Sequence, residues 1–482
     1  MEATLAAHLA DYRALRRELE SSILPIATSV DGRRFTFQAP LEPLELRVGG
    51  YVLLGDDQLG QVTSLDLTTF DAGELGWNDD SAMSKTTVRI RVATGAGMLL
   101  GGDGTPFHDA RLRPATPEEV VSWLRTTAPP RAVLGVGELI YAPGLVHALD
   151  AGGFNRHTFL CGQSGSGKTY ALGVLLERLL LETSLRIVVL DPNSDYVRLG
   201  ELRPGVAADV ADRYEAAARG IAVHSGERLR VRLPELDTAG RAAALQLDPI
   251  RDREEYAALA ALLEEVRPDA IADLANIDPA LARRARNLGV HAWGVWARGA
   301  ASSLDALEDP GSRCTVIDLG SLPTREEQAL VAEAVLERLW SLRARRQPVL
   351  IVIDEAHNVC PALPEDPLTA LATMHAVRIA AEGRKFGLYL LTATQRPQKV
   401  HPNVVSQCDN LVLMRLNSAA DLDYAREVFS FVPASLVERA TTFGLGEALI
   451  AGKLSSHPAF VRVGPRIAQE GGADVPTTWA QK

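Results

Sequence analysis

One stretch limits the folds open to this chain more than any other: Gly162-Gln163-Ser164-Gly165-Ser166-Gly167-Lys168-Thr169. It fits the pattern G-x-x-x-x-G-K-[ST], and its flanks suit a phosphate-binding loop. His157 to Cys161 reads as a short buried strand, and Tyr170 to Leu181 has the length and apolar density of a packed helix. A strand feeding a glycine-rich turn and then a helix aims backbone N–H groups and the positive helix end at one point. The glycines let the backbone approach phosphates with no side chain in the way. In such a loop Lys168 reaches the β- and γ-phosphates and the Thr169 hydroxyl ligates Mg²⁺. A nucleoside triphosphate, ATP, is the expected ligand.

A second signal divides the chemistry. Val349-Leu350-Ile351-Val352-Ile353 is the apolar run of a central parallel strand covered on both faces, and it ends at Asp354-Glu355-Ala356-His357-Asn358. Asp354 is expected to hold Mg²⁺ through water, and Glu355 to polarise the water that attacks the γ-phosphate. A glutamate beside the aspartate favours hydrolysis, which needs a base for water. Leu388 to Thr394 reads as another strand, followed by Gln395, an amide able to sense the γ-phosphate. Arg384, in Glu382-Gly383-Arg384-Lys385-Phe386-Gly387, is either an arginine finger for a neighbouring subunit or a solvated basic turn. Leu185 to Leu190 is a strand ending at Asp191-Pro192-Asn193-Ser194-Asp195-Tyr196. There Asp191 and Asp195 either lie behind the metal and water or cap the turn.

Composition narrows the class. The 482 residues allow two to four domains, and 46% hydrophobic with 23% charged residues is ordinary for a globular protein. No apolar run approaches membrane-spanning length, and Met1-Glu2-Ala3-Thr4 does not begin a secretion signal, so a cytoplasmic protein without a membrane partner is expected. Cys161, Cys314, Cys360 and Cys408 are far apart, which suggests free thiols rather than a metal site. A net charge of −11 opposes a wholly basic nucleic-acid binder but permits a basic channel lining.

Along the chain, residues 1–23 form an amphipathic helix and 24–115 carry short alternating runs, the texture of a small β-barrel. Thr116-Pro117-Glu118-Glu119 opens a helical linker over 116–130 with a capping box. Residues 131–465 form the α/β nucleotide domain, with a mostly parallel sheet, a helical insertion at about 235–310, and Glu447 to Gly452 as its last strand. Residues 466–482 read as a tail. Trp293 and Trp296 in the insertion are expected in a core. Lys399, His401 and Arg298 are candidate phosphate contacts.

With these pieces in order the sequence resembles the HerA/FtsK superfamily of P-loop ATPases, and HerA-type proteins in particular. The matching features are Gly137-Glu138-Leu139, Arg156-His157, Gly162 to Thr169, Asp191-Pro192, Asp354-Glu355-Ala356-His357, Glu382 to Gly387, Thr394-Gln395-Arg396-Pro397 and Arg415-Leu416-Asn417. The resemblance implies a RecA-like P-loop core behind a HAS-type barrel, and a homo-hexameric ring that threads double-stranded DNA. Lys168, Thr169, Asp354, Glu355 and Gln395 would act in cis and Arg384 from the neighbour. Arg156 and Tyr170, flanking the loop, join the nucleotide-binding set. The implied partner is a nuclease (NurA-like, in DNA end processing) or an effector in phage defence. The run Asp-Pro-Asn-Ser-Asp-Tyr departs from the family, which often has glutamate where Asp195 stands; aspartate retracts the carboxylate by about 1.5 Å. A competing reading is an ATP-controlled scaffold that regulates an effector without moving DNA. A membrane-associated conjugation or secretion ATPase fits less well.

Overall fold

The computed structural model describes residues 2–79, 82–127, 132–265 and 278–472. Parts of the expected linker, insertion and tail, at 128–130, 266–277 and 473–482, lie outside the described residues. The chain divides into two compact units, and the division interleaves. Leu139–Leu145 and Pro433–Arg439 belong with the first 128 residues, and the remainder forms the second unit. The single boundary read near residue 131 is corrected accordingly, because both excursions are contacts that no local pattern encodes.

In the first unit, β1 (Ile26–Ser29), β2 (Arg34–Ala39), β3 (Tyr51–Leu54), β4 (Gln58–Asp79), β5 (Ala82–Leu99) and β6 (Phe107–Pro114) close into a barrel. Its inward positions alternate along β2, where Phe35 and Phe37 pack with Val52, Leu54, Val62 and Leu112. β4 and β5 stay paired far beyond the barrel, as an antiparallel ribbon reaching the Asp79–Ala82 pair. An isolated ribbon is marginal by itself. Helix α1 (Glu2–Ser21) supports it, taking the Arg89 amide on the Tyr12 hydroxyl (3.4 Å) and the Arg91 amide on Glu20 (3.0 Å). The linker helix α2 (Pro117–Thr126) has the expected capping box between Thr116 and Glu119.

The second unit is built on one sheet of eleven strands. In chain order these are β7 (Val133–Leu139), β8 (Val146–Asp150), β9 (His157–Cys161), β10 (Arg186–Asp191), β11 (Ile221–His224), β12 (Cys314–Asp318), β13 (Val349–Ile353), β14 (Leu388–Thr394), β15 (Cys408–Met414), β16 (Glu447–Gly452) and β17 (Ala459–Val463). Their order across the sheet is β11-β12-β10-β13-β14-β9-β15-β16-β17-β7-β8, and the first seven are parallel. β9, β12 and β13 are buried at every residue, as strands covered on both faces must be. β17, which pairs antiparallel with β16, corrects the expectation that β16 is the last strand.

Helix α3 (Lys168–Glu182) follows the glycine-rich loop and is buried over most of its surface. The region expected as an insertion contains α4 (Thr238–Ala244), α5 (Arg253–Glu265) and α6 (Pro279–Asn287), followed by 3₁₀ turns at Val290–Ala292 and Ser303–Leu307. Trp296 is buried there and stacks at 6.4 Å on Trp293, in line with a packing role. Helices α7 (Arg325–Ser341), α8 (Ala356–Val359) and α9 (Pro367–Glu382) complete the frame around β13 and β14.

Candidate nucleotide site

Parallel strands all point their carboxyl ends to one edge, and in such sheets ligands collect there. Strand order then decides which side chains meet. β14 lies between β9 and β13, so the glycine-rich loop and Glu355 stand two strand spacings apart, about 10 Å. Thr394, the last residue of β14, accepts the Gly162 amide at 3.3 Å, which brings Gln395 between them.

The loop has the conformation that its glycines permit. Gly165 and Gly167 take positive φ of 71° and 94°, and Gly167 precedes α3 without any side-chain cap. The first amides of α3 are therefore left to a ligand. Outside, Arg415 donates to the Gly165 carbonyl (3.1 Å), and the Gln163 amide oxygen accepts from Asn417 (3.1 Å), fixing the loop's outer turn. Ser166 is buried with its hydroxyl oxygen unpartnered.

Lys168 leaves the first turn of α3 and meets the end of β13. Its Nζ donates to Asp354 Oδ1 at 2.7 Å and lies 3.0 Å from Glu355 Oε1, with only 7% of the side chain exposed. Burial works against the ammonium, but the two carboxylates outweigh it and hold Lys168 above its ordinary pKa. Asp354 also accepts the Glu355 amide (2.8 Å) and, on its other oxygen, the hydroxyl of the fully buried Tyr196 (3.1 Å). Glu355 stands at φ 42°, a left-handed conformation that costs a non-glycine residue about 1–3 kcal/mol and marks positions held for function.

These groups fit a magnesium triphosphate. The donors near the loop are oxygens, the Thr169 hydroxyl and Asp354, which suit a hard cation that keeps waters and phosphate ligands. Among the described residues no group of three or more His, Cys, Asp or Glu could hold a metal alone. The positive Lys168 and the orphaned Ser166 hydroxyl face the same loop.

Parts of the chain are similar to known proteins. Residues 134–307 match the family described as "Helicase HerA, central domain". The DNA double-strand break repair helicase HerA of Sulfurisphaera tokodaii is 32% identical over 170 residues, 34% of each chain. HerA of Pyrococcus furiosus is 24% identical over 392 residues, 68% of this chain and 69% of that one. Over these stretches the chain is similar to HerA-type ATPases of the HerA/FtsK superfamily. Among solved structures, VirB4 of Thermoanaerobacter pseudethanolicus aligns with a TM-score of 0.49 at 14% identity, over 70% of this chain and 97% of that one. The alignment with the Sulfurisphaera relative spans about a third of that protein's length, 34%.

Two candidate arginines lie away from the glycine-rich loop of their own chain. Arg156 precedes β9, on the opposite edge of the sheet from the loop, and pairs with Asp409 at 3.4 Å. It is roughly 16 Å of strand from the Gly162 of its own chain. Arg384 lies on the same far edge, before β14, and donates to Asp409 at 2.8 Å. Tyr170 is in α3, but its hydroxyl is engaged by the Arg466 amide (2.9 Å) and turns away from the loop.

The Asp191 turn resolves its two readings in part. Asp191 accepts the amides of Asn193, Asp195 and Tyr196 at 3.4, 3.0 and 2.8 Å, so it shapes the turn. Burial nonetheless raises it to about 7, and burial followed by the charge of Asp354 raises Asp195 to about 6. Arg298, offered as a phosphate contact, donates to the His291 carbonyl (2.9 Å), and His401 accepts the Asn403 amide (3.2 Å). Lys399 is exposed.

Sequence reasoning missed three residues. Tyr196 directly follows the polar turn, and that aromatic was its only signal. His357 was in view but without a role; its Nδ1 lies 3.0 Å from Thr394 Oγ1 and 3.2 Å from Glu355 Oε2. Arg466 was assigned to a tail, yet residues 466–468 are strapped onto α3 through Glu177. The expected free tail is corrected over the described 466–472. A glutamate within an otherwise apolar helix was the available clue.

Proposed function

We propose that this chain is an ATPase subunit with a RecA-like core, and that it assembles as a homo-hexameric ring to move double-stranded DNA. The observation that carries the reading is the convergence of Lys168, Asp354 and Glu355 at the glycine-rich loop. Residues 162–169 would cradle the phosphates, with Thr169 and Asp354 holding Mg²⁺. The ion, when bound, offsets charge on the β- and γ-phosphate oxygens. Glu355 would take a proton from the attacking water as its oxygen bonds to the γ-phosphorus and the bond to the ADP oxygen breaks. Gln395, between loop and base, would orient that water.

Arg156 and Arg384 share a sheet edge remote from their own loop, which supports a role at a neighbour's nucleotide and hence a ring. The relatives' names, DNA double-strand break repair helicases, support DNA as the substrate. The barrel unit then corresponds to a HAS-type barrel and offers a surface for a nuclease or defence effector. No helix among the described residues is long and apolar enough to cross a membrane.

The experiment is steady-state ATP hydrolysis with and without duplex DNA, alongside mass by light scattering with an ATP analogue. The reading expects a hexamer and DNA-stimulated turnover. Hydrolysis indifferent to DNA, with no duplex binding at moderate salt, contradicts the motor and favours the effector-regulating scaffold.

A further inference from the structure

We propose that His357 is a positioning residue that switches Glu355 between a held and a released state, an inference resting on Glu355 being the base described above. His357 Nδ1 is within reach of two groups at once, Thr394 Oγ1 at 3.0 Å and Glu355 Oε2 at 3.2 Å. A ring nitrogen can serve only one of them. A carboxylate only accepts, so a bond to Glu355 requires hydrogen on Nδ1. The Thr394 oxygen already accepts the Arg396 amide at 2.9 Å, which leaves its own hydrogen to give. When that hydrogen goes to Nδ1, the nitrogen has nothing to donate and Glu355 Oε2 loses its donor. Glu355 Oε2 is indeed buried without a hydrogen-bond partner here.

The group that makes this choice sits in a telling place. Thr394 ends β14, its carbonyl holds Gly162 of the phosphate loop, and the next residue is Gln395. A movement of Gln395 toward the γ-phosphate necessarily drags the Thr394 peptide. Thr394 turning onto Nδ1 requires the ring's own hydrogen to sit on Nε2, a tautomer change made by proton exchange with water, and releases the carboxylate; when Thr394 turns off, the hydrogen returns to Nδ1 and clamps it. Lys168 restrains the other oxygen, Oε1, at 3.0 Å. Glu355 is thus fully free only when both partners have turned elsewhere, and a bound triphosphate would draw both away.

The test compares His357→Ala, His357→Asn and His357→Gln in the full-length protein, reading kcat for ATP and Kd for a fluorescent ATP analogue. Kd should stay within about twofold of wild type, while His357→Ala, which removes the clamp and leaves Glu355 released, raises kcat roughly tenfold, the value of a hydrogen bond to a charged group. The Asn amide occupies the place of Nδ1 and should restore kcat to within about threefold, whereas Gln, which copies the reach of Nε2, should not. Thr394→Val should lower kcat alone and add nothing in the His357→Ala background. A kcat at or below wild type in His357→Ala, equal rescue by Asn and Gln, or a Thr394→Val loss that persists in the His357→Ala background overturns the switch. Glu355→Gln run in parallel separates the two levels. If it still hydrolyses ATP, the base reading itself fails; if it is inactive while His357→Ala is normal, only the switch fails.

Discussion

Glu177 and Arg466, 289 positions apart in the chain, meet at 2.6 Å with neither side chain exposed to solvent. The same carboxylate accepts the amides of Ile467 (2.7 Å) and Ala468 (3.0 Å), and Gly173, one turn before Glu177, leaves room for the guanidinium; a Cβ there would come to 2.3 Å of it. The helix that starts at Lys168 is thereby fastened to a segment near the far end of the chain. Breaking a buried pair strands a charge, which costs about 3–5 kcal/mol. Glu177→Ala should therefore lower the urea midpoint of the second unit strongly, and Tyr170→Phe, which loses one partly buried, uncharged hydrogen bond, much less. Equal midpoints for the two variants would show that the pair does not fasten the helix.

The Asp191 turn predicts how the nucleotide-free protein responds to pH. Burial raises Asp191 to about 7 and Asp195 to about 6, against roughly 4 in an unfolded chain. A raised carboxylate binds more protons folded than unfolded, so its contribution is fully present below about pH 4 and is lost as pH climbs to 6–7. Stability from this turn falls over that window and is flat above it. Asp195→Asn removes part of the loss, so its gain in Tm should be larger at pH 8 than at pH 4.5. A gain independent of pH contradicts the burial that raises Asp195.

Much of the site was legible because its chemistry is local. Gly162 to Thr169 needs a fixed spacing, and Asp354-Glu355 must follow a buried strand, so adjacent residues carry both signals. What could not be read was set by strand order. That β14 separates β9 from β13 places Gln395 and Thr394 where they meet the loop, but no one segment encodes its neighbour in a sheet. Arg156 shows the same limit: it lies six residues before Gly162 in sequence yet on the opposite edge of the sheet. Tyr196, His357 and Arg466 act through partners 158, 37 and 289 positions away.

Asp409 holds Arg384 and Arg156 on one sheet edge, at 2.8 and 3.4 Å. If these arginines serve a neighbour's nucleotide, inactive Arg384→Ala subunits mixed with inactive Lys168→Ala subunits should regain hydrolysis, because some interfaces then combine an intact loop with an intact arginine. Asp409→Ala should lower kcat with little change in nucleotide affinity, since it removes only the clamp. Mixed assemblies that form but stay inactive would count against a finger supplied in trans.

The most direct test of the central claim separates binding from cleavage at Glu355. Glu355→Gln keeps the size of the side chain and removes its basicity, so the variant should bind ATP with wild-type affinity while single-turnover hydrolysis falls by on the order of 10²-fold or more. Lys168→Ala, in contrast, should lose binding. A Glu355→Gln protein that cleaves bound ATP at the wild-type rate would contradict the account.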